Sequence, residues 1–403
     1  MKRLFTLLFL VPLVALAAPK NIIVMIPDGT GHASLTAARH TKGERLAIEG
    51  VIYGTIETRS ADNSVTDSAA AATAMACGER TYNSAIGVNL DRVPMRSISE
   101  WAQAMGKAVG IVTTDAITGA TPSGFSAHVV SRSNAAEILE QQIATGFDLF
   151  LGGGASHLTP ELKQFMATQG YTLTTTAAEL HQAQGKIFGL FASGILTAKV
   201  ALRKGEPTTE PTLLEMTDKA LTTLSQNPNG FFLMVEGAQV DKGNHEHDLP
   251  WATYELLEFD DAVKMALTWA EAHPDTLVLI APDHETGGLT ILNEPSEGAR
   301  GKALRAVTAK ATGKPGDYFV NYATTWHTGV DVFLAGNRPD CRPARNCDII
   351  HAIAGLTAET LPELHGKTVQ QDGIYWLETA EGKRLRAQRD AIFVKTTGKW
   401  YNR

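Results

Sequence analysis

The chain has 403 residues, a formal net charge of −7 at pH 7 and a pI near 6.0. With no basic tail or stripe, that balance excludes nucleic acid and anionic membrane as primary partners, so any anionic ligand must be drawn in by local charge. Apolar residues make up 44 % of the chain, enough for a large core in one open α/β domain.

Residues 1–17 have a basic start (Lys2, Arg3), an apolar run from Leu4 to Leu16 and small residues at Ala15 and Ala17. This is the layout of a cleaved secretory signal, which predicts a mature chain beginning near Ala18 in the periplasm or outside the cell. The run is too short to span a bilayer comfortably, and no later stretch is long and apolar enough. No cysteine stands at the cleavage point, so no membrane anchor is expected.

Asn21–Pro27 is a continuous apolar run, the mark of a strand buried on both faces of a parallel sheet. Similar runs recur at Ala108–Thr113, Asp148–Leu151, Phe231–Val235, Thr276–Ala281 and Val330–Leu334. Helical patterns lie between them, at Met95–Met105, Ala135–Thr145, Leu213–Ser225 and Pro250–Ala272. The alternation predicts a three-layer α/β/α sandwich with a mostly parallel central sheet, forming a single domain over residues 18–403. Residues 290–325 read as an insertion folded over one edge of the sheet. Residues 370–403 read as a peripheral hairpin of two strands, Gly373–Glu378 and Ala391–Thr396. Cys341 and Cys347 lie close enough in a polar loop to pair in an oxidising compartment, and the spacing leaves pairing open. Cys77 reads as a buried free thiol.

In an open parallel sheet, ligands bind outside the carboxyl ends of the strands. The polar residues directly after the apolar runs are Asp28, Glu236 and the pair Asp283-His284. Asp241 and His245 are four apart, so one helical turn puts a carboxylate and an imidazole on the same face, a donor pair suited to zinc. His247 is a rival ligand two residues on, and Trp326-His327-Thr328-Gly329 places another histidine before the last run. Three histidines and at least three carboxylates exceed one four-coordinate site, which implies two adjacent zinc ions, roughly 4 Å apart, able to clamp both oxygens of an in-line displacement at phosphorus. Val65–Gly78 reads as a short alanine-rich helix with Thr66 and Asp67 at its start, Gly78 at its end and Ser68 in its first turn. A helix amino end favours an alkoxide and an anion. No histidine base is identifiable beside Ser68, so a bound cation is its expected activator. Arg132 is a candidate fork for two phosphate oxygens.

These motifs together resemble the ordered motif set of alkaline phosphatases. They are Pro27-Asp28-Gly29, Thr66-Asp67-Ser68-Ala69, Ala120-Thr121-Pro122, Ala127-His-Val-Val-Ser-Arg132, Glu236-Gly-Ala-Gln-Val-Asp241, His245, Asp283-His284-Glu-Thr-Gly-Gly and His327-Thr-Gly, spanning about Asn21 to Leu334. The resemblance implies hydrolysis of small-molecule phosphate monoesters through phosphoserine on Ser68. It implies one zinc on Asp241, His245 and His327, a second on Asp28, Asp283 and His284, and a magnesium ion on Asp28, Thr121 and Glu236. It also implies that Arg132 binds the phosphate and Lys242 assists through water. Family members commonly form homodimers, yet the first strand here follows the leader almost directly, leaving no arm to embrace a partner. Where many members carry Asp or His two residues before the magnesium-site threonine, this chain has Gly119, which leaves open weaker magnesium affinity, a partly empty third site or zinc in it, and better survival of magnesium omission than of zinc chelation is expected. The rival readings are a phosphodiesterase of the same superfamily and a periplasmic phosphate- or zinc-binding protein without turnover. A sulfatase is excluded because Ser68 is followed by four alanines and not by the C/S-x-P-x-R pattern.

Overall fold

The computed structural model describes residues 19–292, 318–357, 367–371 and 374–378. Its strands are β1 Asn21–Pro27, β2 Ile52–Ile56, β3 Ala108–Ala116, β4 Leu149–Gly153, β5 Tyr171–Thr174, β6 Lys186–Leu190, β7 Phe231–Gly237, β8 Thr276–Ile280, β9 Glu285–Thr286, β10 Leu289–Leu292, β11 Phe319–Tyr322, β12 His327–Thr328, β13 Val332–Gly336, β14 Lys367–Gln371 and β15 Ile374–Glu378. Nine of them form one sheet in the order β2-β13-β8-β1-β7-β3-β4-β6-β5. Only β13 opposes the rest, pairing antiparallel with both β8 and β2.

Every residue of β1 is buried, and its side chains divide by parity between two cores. Ile22, Val24 and Ile26 join Phe232, Met234, Leu277 and Leu279 on one face. Ile23 and Met25 join Leu233, Val235, Val278 and Ile280 on the other. Each such aliphatic side chain stabilises the fold by about 1.5–3 kcal/mol, and a period of two in a strand covered on both sides produces the three layers. Helices Ser68–Cys77, Ile98–Ala104 and Ala135–Thr145 cover the first face. Helices His32–Lys42, Leu213–Leu224 and Leu249–Ala272 cover the second.

Several expectations are refined. The last apolar run pairs as Val332–Gly336 and runs against its neighbours. Strands β2, β5 and β6 carry no clean sequence signal, since β2 and β5 are the sheet's outermost strands and only partly buried. The ends of the predicted insertion meet as an antiparallel stem, β10 with β11, and residues 293–317 lie outside the described residues. Of the predicted terminal strands, Gly373–Glu378 appears as Ile374–Glu378 but pairs with Lys367–Gln371. Ala391–Thr396 lies outside the described residues, as does the leader at 1–17. Cys77, Cys341 and Cys347 are all buried free thiols. Among the described residues, no helix is long and apolar enough to cross a membrane.

Candidate active site

The carboxyl ends of β1, β7, β8 and β3 gather the predicted polar residues at one edge. Asp28 follows β1, Glu236 lies within β7, and Asp283 and His284 follow β8. Glu236 stands level with Ile26 on β1 and with Thr113 on β3, whose hydroxyl donates to Glu236 Oε2. Gly29 takes φ +70°, and a Cβ there would lie 2.7 Å from the Asp241 backbone. Glycine is therefore required twice over, by conformation and by space. Its N–H donates to Asp283 Oδ1 at 3.2 Å, fixing that carboxylate.

Asp241 and His245 share a face of the helix Gln239–His245, with His245 Nε2 3.2 Å from Asp241 Oδ1. The two-residue strand β12 brings in His327 by pairing with β9. His327 Nε2 then lies 3.6 Å from Asp241 Oδ1 and 3.2 Å from His245 Nε2. In a second group, His284 Nε2 lies 3.5 Å from Asp28 Oδ1 and 3.2 Å from Asp283 Oδ2. Each triad offers one donor atom per residue with all separations within 4.8 Å. The two groups adjoin, since the His284 and His327 rings stack at 3.5 Å between centroids.

The other ring nitrogen of each histidine sets its tautomer. His327 Nδ1–H donates to Thr66 O at 2.8 Å and His245 Nδ1–H to Thr325 O at 2.5 Å. Thr286 gives its own proton to Asp241 Oδ1 at 2.6 Å, so its oxygen accepts from His284 Nδ1 at 3.3 Å. All three Nε2 lone pairs therefore face inward toward carboxylate oxygens. Lone pairs held this close call for cations between them. Asp28 Oδ1, Asp283 Oδ2 and Thr121 Oγ1 are buried with no hydrogen-bond partner, as donors awaiting a metal are. Imidazole with carboxylate suits zinc at both triads, and the all-oxygen set Asp28, Glu236 and Thr121 suits magnesium.

Charge follows burial. Burial pushes the Glu236 carboxyl up to about 8, helped by the Asp115 charge, and Asp283 up to about 6. Asp28 is raised well above the carboxylate range by burial and by Asp283. Burial lowers His284 to about 4 and, with His284 alongside, His327 to about 4, so both rings are neutral at pH 7. Burial opposes ionisation of Asp241, but in the metal-free protein the His245 ring, itself more readily protonated beside this carboxylate, donates to it when charged, and with the Lys242 charge holds it well below the usual range. Above about pH 7 both histidines are mostly neutral in the folded and unfolded chain, while Glu236 stays protonated only when folded. The metal-free protein therefore loses stability as pH rises from about 7 to 8. Its melting temperature in chelator is expected to fall across that window, with Asp28 acting in the same sense. Metal-loaded protein, keeping only the share from the distant Glu255, also raised by burial to about 8, should fall less. A flat metal-free profile would contradict this.

Ser68 is the first residue of helix Ser68–Cys77, and Asp67 caps it by accepting from Ala70 N–H at 3.0 Å. The whole helix is buried, and its alanines admit close neighbours: a Cβ on Gly124 would lie 2.7 Å from Ala72 Cβ. The expectation that no histidine stands beside the serine is corrected, because Ser68 Oγ is 3.1 Å from His284 Nε2. The contact spans 216 positions of sequence, so spacing could not reveal it. Arg132 lies in a turn and not at a helix end, and its Nη1 reaches Asp67 Oδ2 at 3.2 Å. One carboxylate thus caps the serine helix and orients the arginine. His247 is eliminated as a ligand, since it donates to Thr324 O at 2.8 Å and stacks on Tyr322. Lys242 Nζ lies 3.5 Å from Asp241 Oδ2 and 3.8 Å from Asp115 Oδ2. Asp115 and Thr286 are site residues that sequence reading did not single out, and Asp67 was read as a helix cap without its link to Arg132. Only the end of strand β3 pointed to one of them.

A parallel sheet whose carboxyl edge holds two carboxylate–imidazole triads against a helix-borne serine defines a candidate binuclear metal centre for handling an anion. The chain belongs to the alkaline phosphatase family, whose model matches residues 19–319. It is 37 % identical to alkaline phosphatase 3 of Bacillus subtilis over 292 residues, covering 68 % of this chain but 62 % of that protein. It is 32 % identical to alkaline phosphatase H of Pseudomonas aeruginosa over 409 residues, covering 85 % of this chain and 83 % of that one. The solved alkaline phosphatase of the Antarctic bacterium TAB5 superposes with a TM-score of 0.74 at 29 % identity, over 85 % of this chain and 99 % of that one. A variant of the TAB5 enzyme binds magnesium in its M3 site.

Proposed function

We propose that this protein is a secreted or periplasmic phosphomonoesterase of broad specificity. It hydrolyses phosphate monoesters to alcohol and inorganic phosphate through a phosphoserine intermediate on Ser68, with zinc in both triads and magnesium at Asp28, Thr121 and Glu236. The observation that carries this reading is the 3.1 Å approach of Ser68 Oγ to His284 Nε2 inside the Asp28–Asp283–His284 triad. When bound, the cations supply Lewis-acid charge that lowers the pKa of a hydroxyl and neutralises phosphoryl oxygens.

The residues divide the remaining work. Ser68 Oγ forms a bond to phosphorus as the ester oxygen leaves with the alcohol, and water later displaces the serine oxygen from the same phosphorus. The free N–H groups at the amino end of helix Ser68–Cys77 favour the negative charge that grows on the phosphoryl group. Asp67 holds Arg132 where its guanidinium can fork onto two phosphoryl oxygens. Binding energy is thereby concentrated on the phosphoryl group, which leaves the alcohol weakly specified. Arg132→Ala is expected to raise KM and weaken inhibition by inorganic phosphate on the order of 10- to 100-fold, the loss of charged hydrogen bonds of about 1.5–3 kcal/mol. Unchanged phosphate inhibition would remove Arg132 from the site.

The reading as a whole is tested by comparing mono- and bis-nitrophenyl phosphate turnover by the zinc-loaded protein. A strong preference for the monoester is expected. Preference for the diester would favour the phosphodiesterase alternative, and tight phosphate binding without turnover of either ester would make the protein a binding protein.

A further inference from the structure

The pair Gly119 and Asp115 bears on the third cation position, and the inference rests on the reading of Asp28, Thr121 and Glu236 as a magnesium site. Gly119 has φ −58° and ψ 164°, a backbone open to any residue, so its conformation does not demand glycine. Space does. A Cβ at 119 would lie 2.8 Å from Asp115 Oδ2, 3.0 Å from its Cγ and 2.9 Å from Ala116 O. The Asp115 carboxylate thus stands in the volume that a side chain at 119 would need, and such a side chain would have to displace it and press on the Ala116 carbonyl.

Asp115 is placed for the role. It lies near the end of β3, two residues beyond Thr113, and its N–H donates to Thr113 Oγ1 at 2.8 Å while that hydroxyl donates to Glu236 Oε2. Asp115 Oδ1 accepts from Ala116 N–H at 2.7 Å, leaving Oδ2 toward Lys242 Nζ at 3.8 Å. Among the carboxylates around Glu236, the charge of Asp115 acts on it most strongly, ahead of Asp283. Thr121 Oγ1, only two positions beyond Gly119, belongs to a residue 1 % exposed and has no hydrogen-bond partner.

We propose that Asp115 serves the third cation position in place of a side chain at 119: its Oδ2 supplies the missing carboxylate and, through Lys242, ties that position to Asp241. Asp115 is a positioning residue for magnesium and for Lys242.

The test is calorimetric titration of magnesium into the zinc-saturated full chain, with zinc content measured in parallel. The wild-type chain is expected to bind one magnesium ion, and Asp115→Asn to bind it at least ten-fold more weakly with zinc content unchanged. Asp115→Ala should be equally weak, whereas Asp115→Glu, which keeps a carboxylate at this position, should retain most of the affinity. Wild-type affinity in Asp115→Asn, loss of zinc along with magnesium, or a loss in Asp115→Glu as large as in Asp115→Ala would each overturn the proposal. Absence of magnesium binding in the wild-type chain would instead overturn the third site itself, and this inference with it.

Discussion

Replacing Ser68 with alanine is expected to lower kcat for a phosphate monoester on the order of 10⁵-fold, the scale seen when a nucleophile acting in concert with its neighbours is removed. The fold should not notice the change. Ser68 occupies the first helical position, alanine is the best helix former, and the cap is made by the Asp67 side chain, which the substitution leaves alone. Both triads also remain, because neither Asp241–His245–His327 nor Asp28–Asp283–His284 includes the serine. The variant should therefore bind as much zinc as the wild type, melt within a degree or two of it, and fail to take up labelled phosphate in an acid-quenched reaction. Turnover within ten-fold of wild type would mean that water attacks the ester directly and that Ser68 only starts a helix.

Asp241→Ala has the second largest expected effect, by a different route. Asp241 Oδ1 lies within 3.6 Å of both His245 and His327 Nε2 and accepts from Thr286, while Oδ2 faces Lys242 Nζ at 3.5 Å. Removing this buried carboxylate leaves two inward-facing imidazoles and a lysine with no shared anion, and the triad becomes electrostatically hostile to a cation. Zinc content should drop by one equivalent per chain. Activity should fall on the order of 10³-fold, as expected when charge stabilisation at the reacting centre is lost. The second triad should keep its ion, so a loss of both equivalents would mean that the two groups assemble as one unit. Retention of both would show that Asp241 is not a ligand.

Much of this site was legible because parallel sheets obey a simple rule. An apolar run ends where the chain leaves the covered layer, so the next polar residue stands at the sheet's functional edge; Asp28, Asp283 and His284 were found that way. Asp241 and His245 were legible from a period of 3.6, and the caps of helix Ser68–Cys77 from residue type. What stayed hidden joins residues through space. The Ser68–His284 contact, the Asp67–Arg132 pair and the Thr286 hydroxyl between Asp241 and His284 depend on loops whose ends are fixed by different strands. The outer strands β2 and β5 were missed because partial burial erodes the pattern that marks a strand.

Residue order alone established the layered α/β architecture, the ligand types and the helix that presents a hydroxyl, since each follows from local periodicity or from which side chains can bind a cation. Tertiary packing decided which ligands meet. Two triads separate cleanly only because β12 pairs with β9 and carries His327 to the Asp241 helix, and because Gly29 leaves free the space beside the Asp241 backbone that a Cβ would invade. Packing also decided that the space beside Gly119 is filled by the Asp115 carboxylate, 2.8 Å from where a Cβ at 119 would stand, because side-chain direction at the end of β3 is set by the assembled sheet and not by residue type.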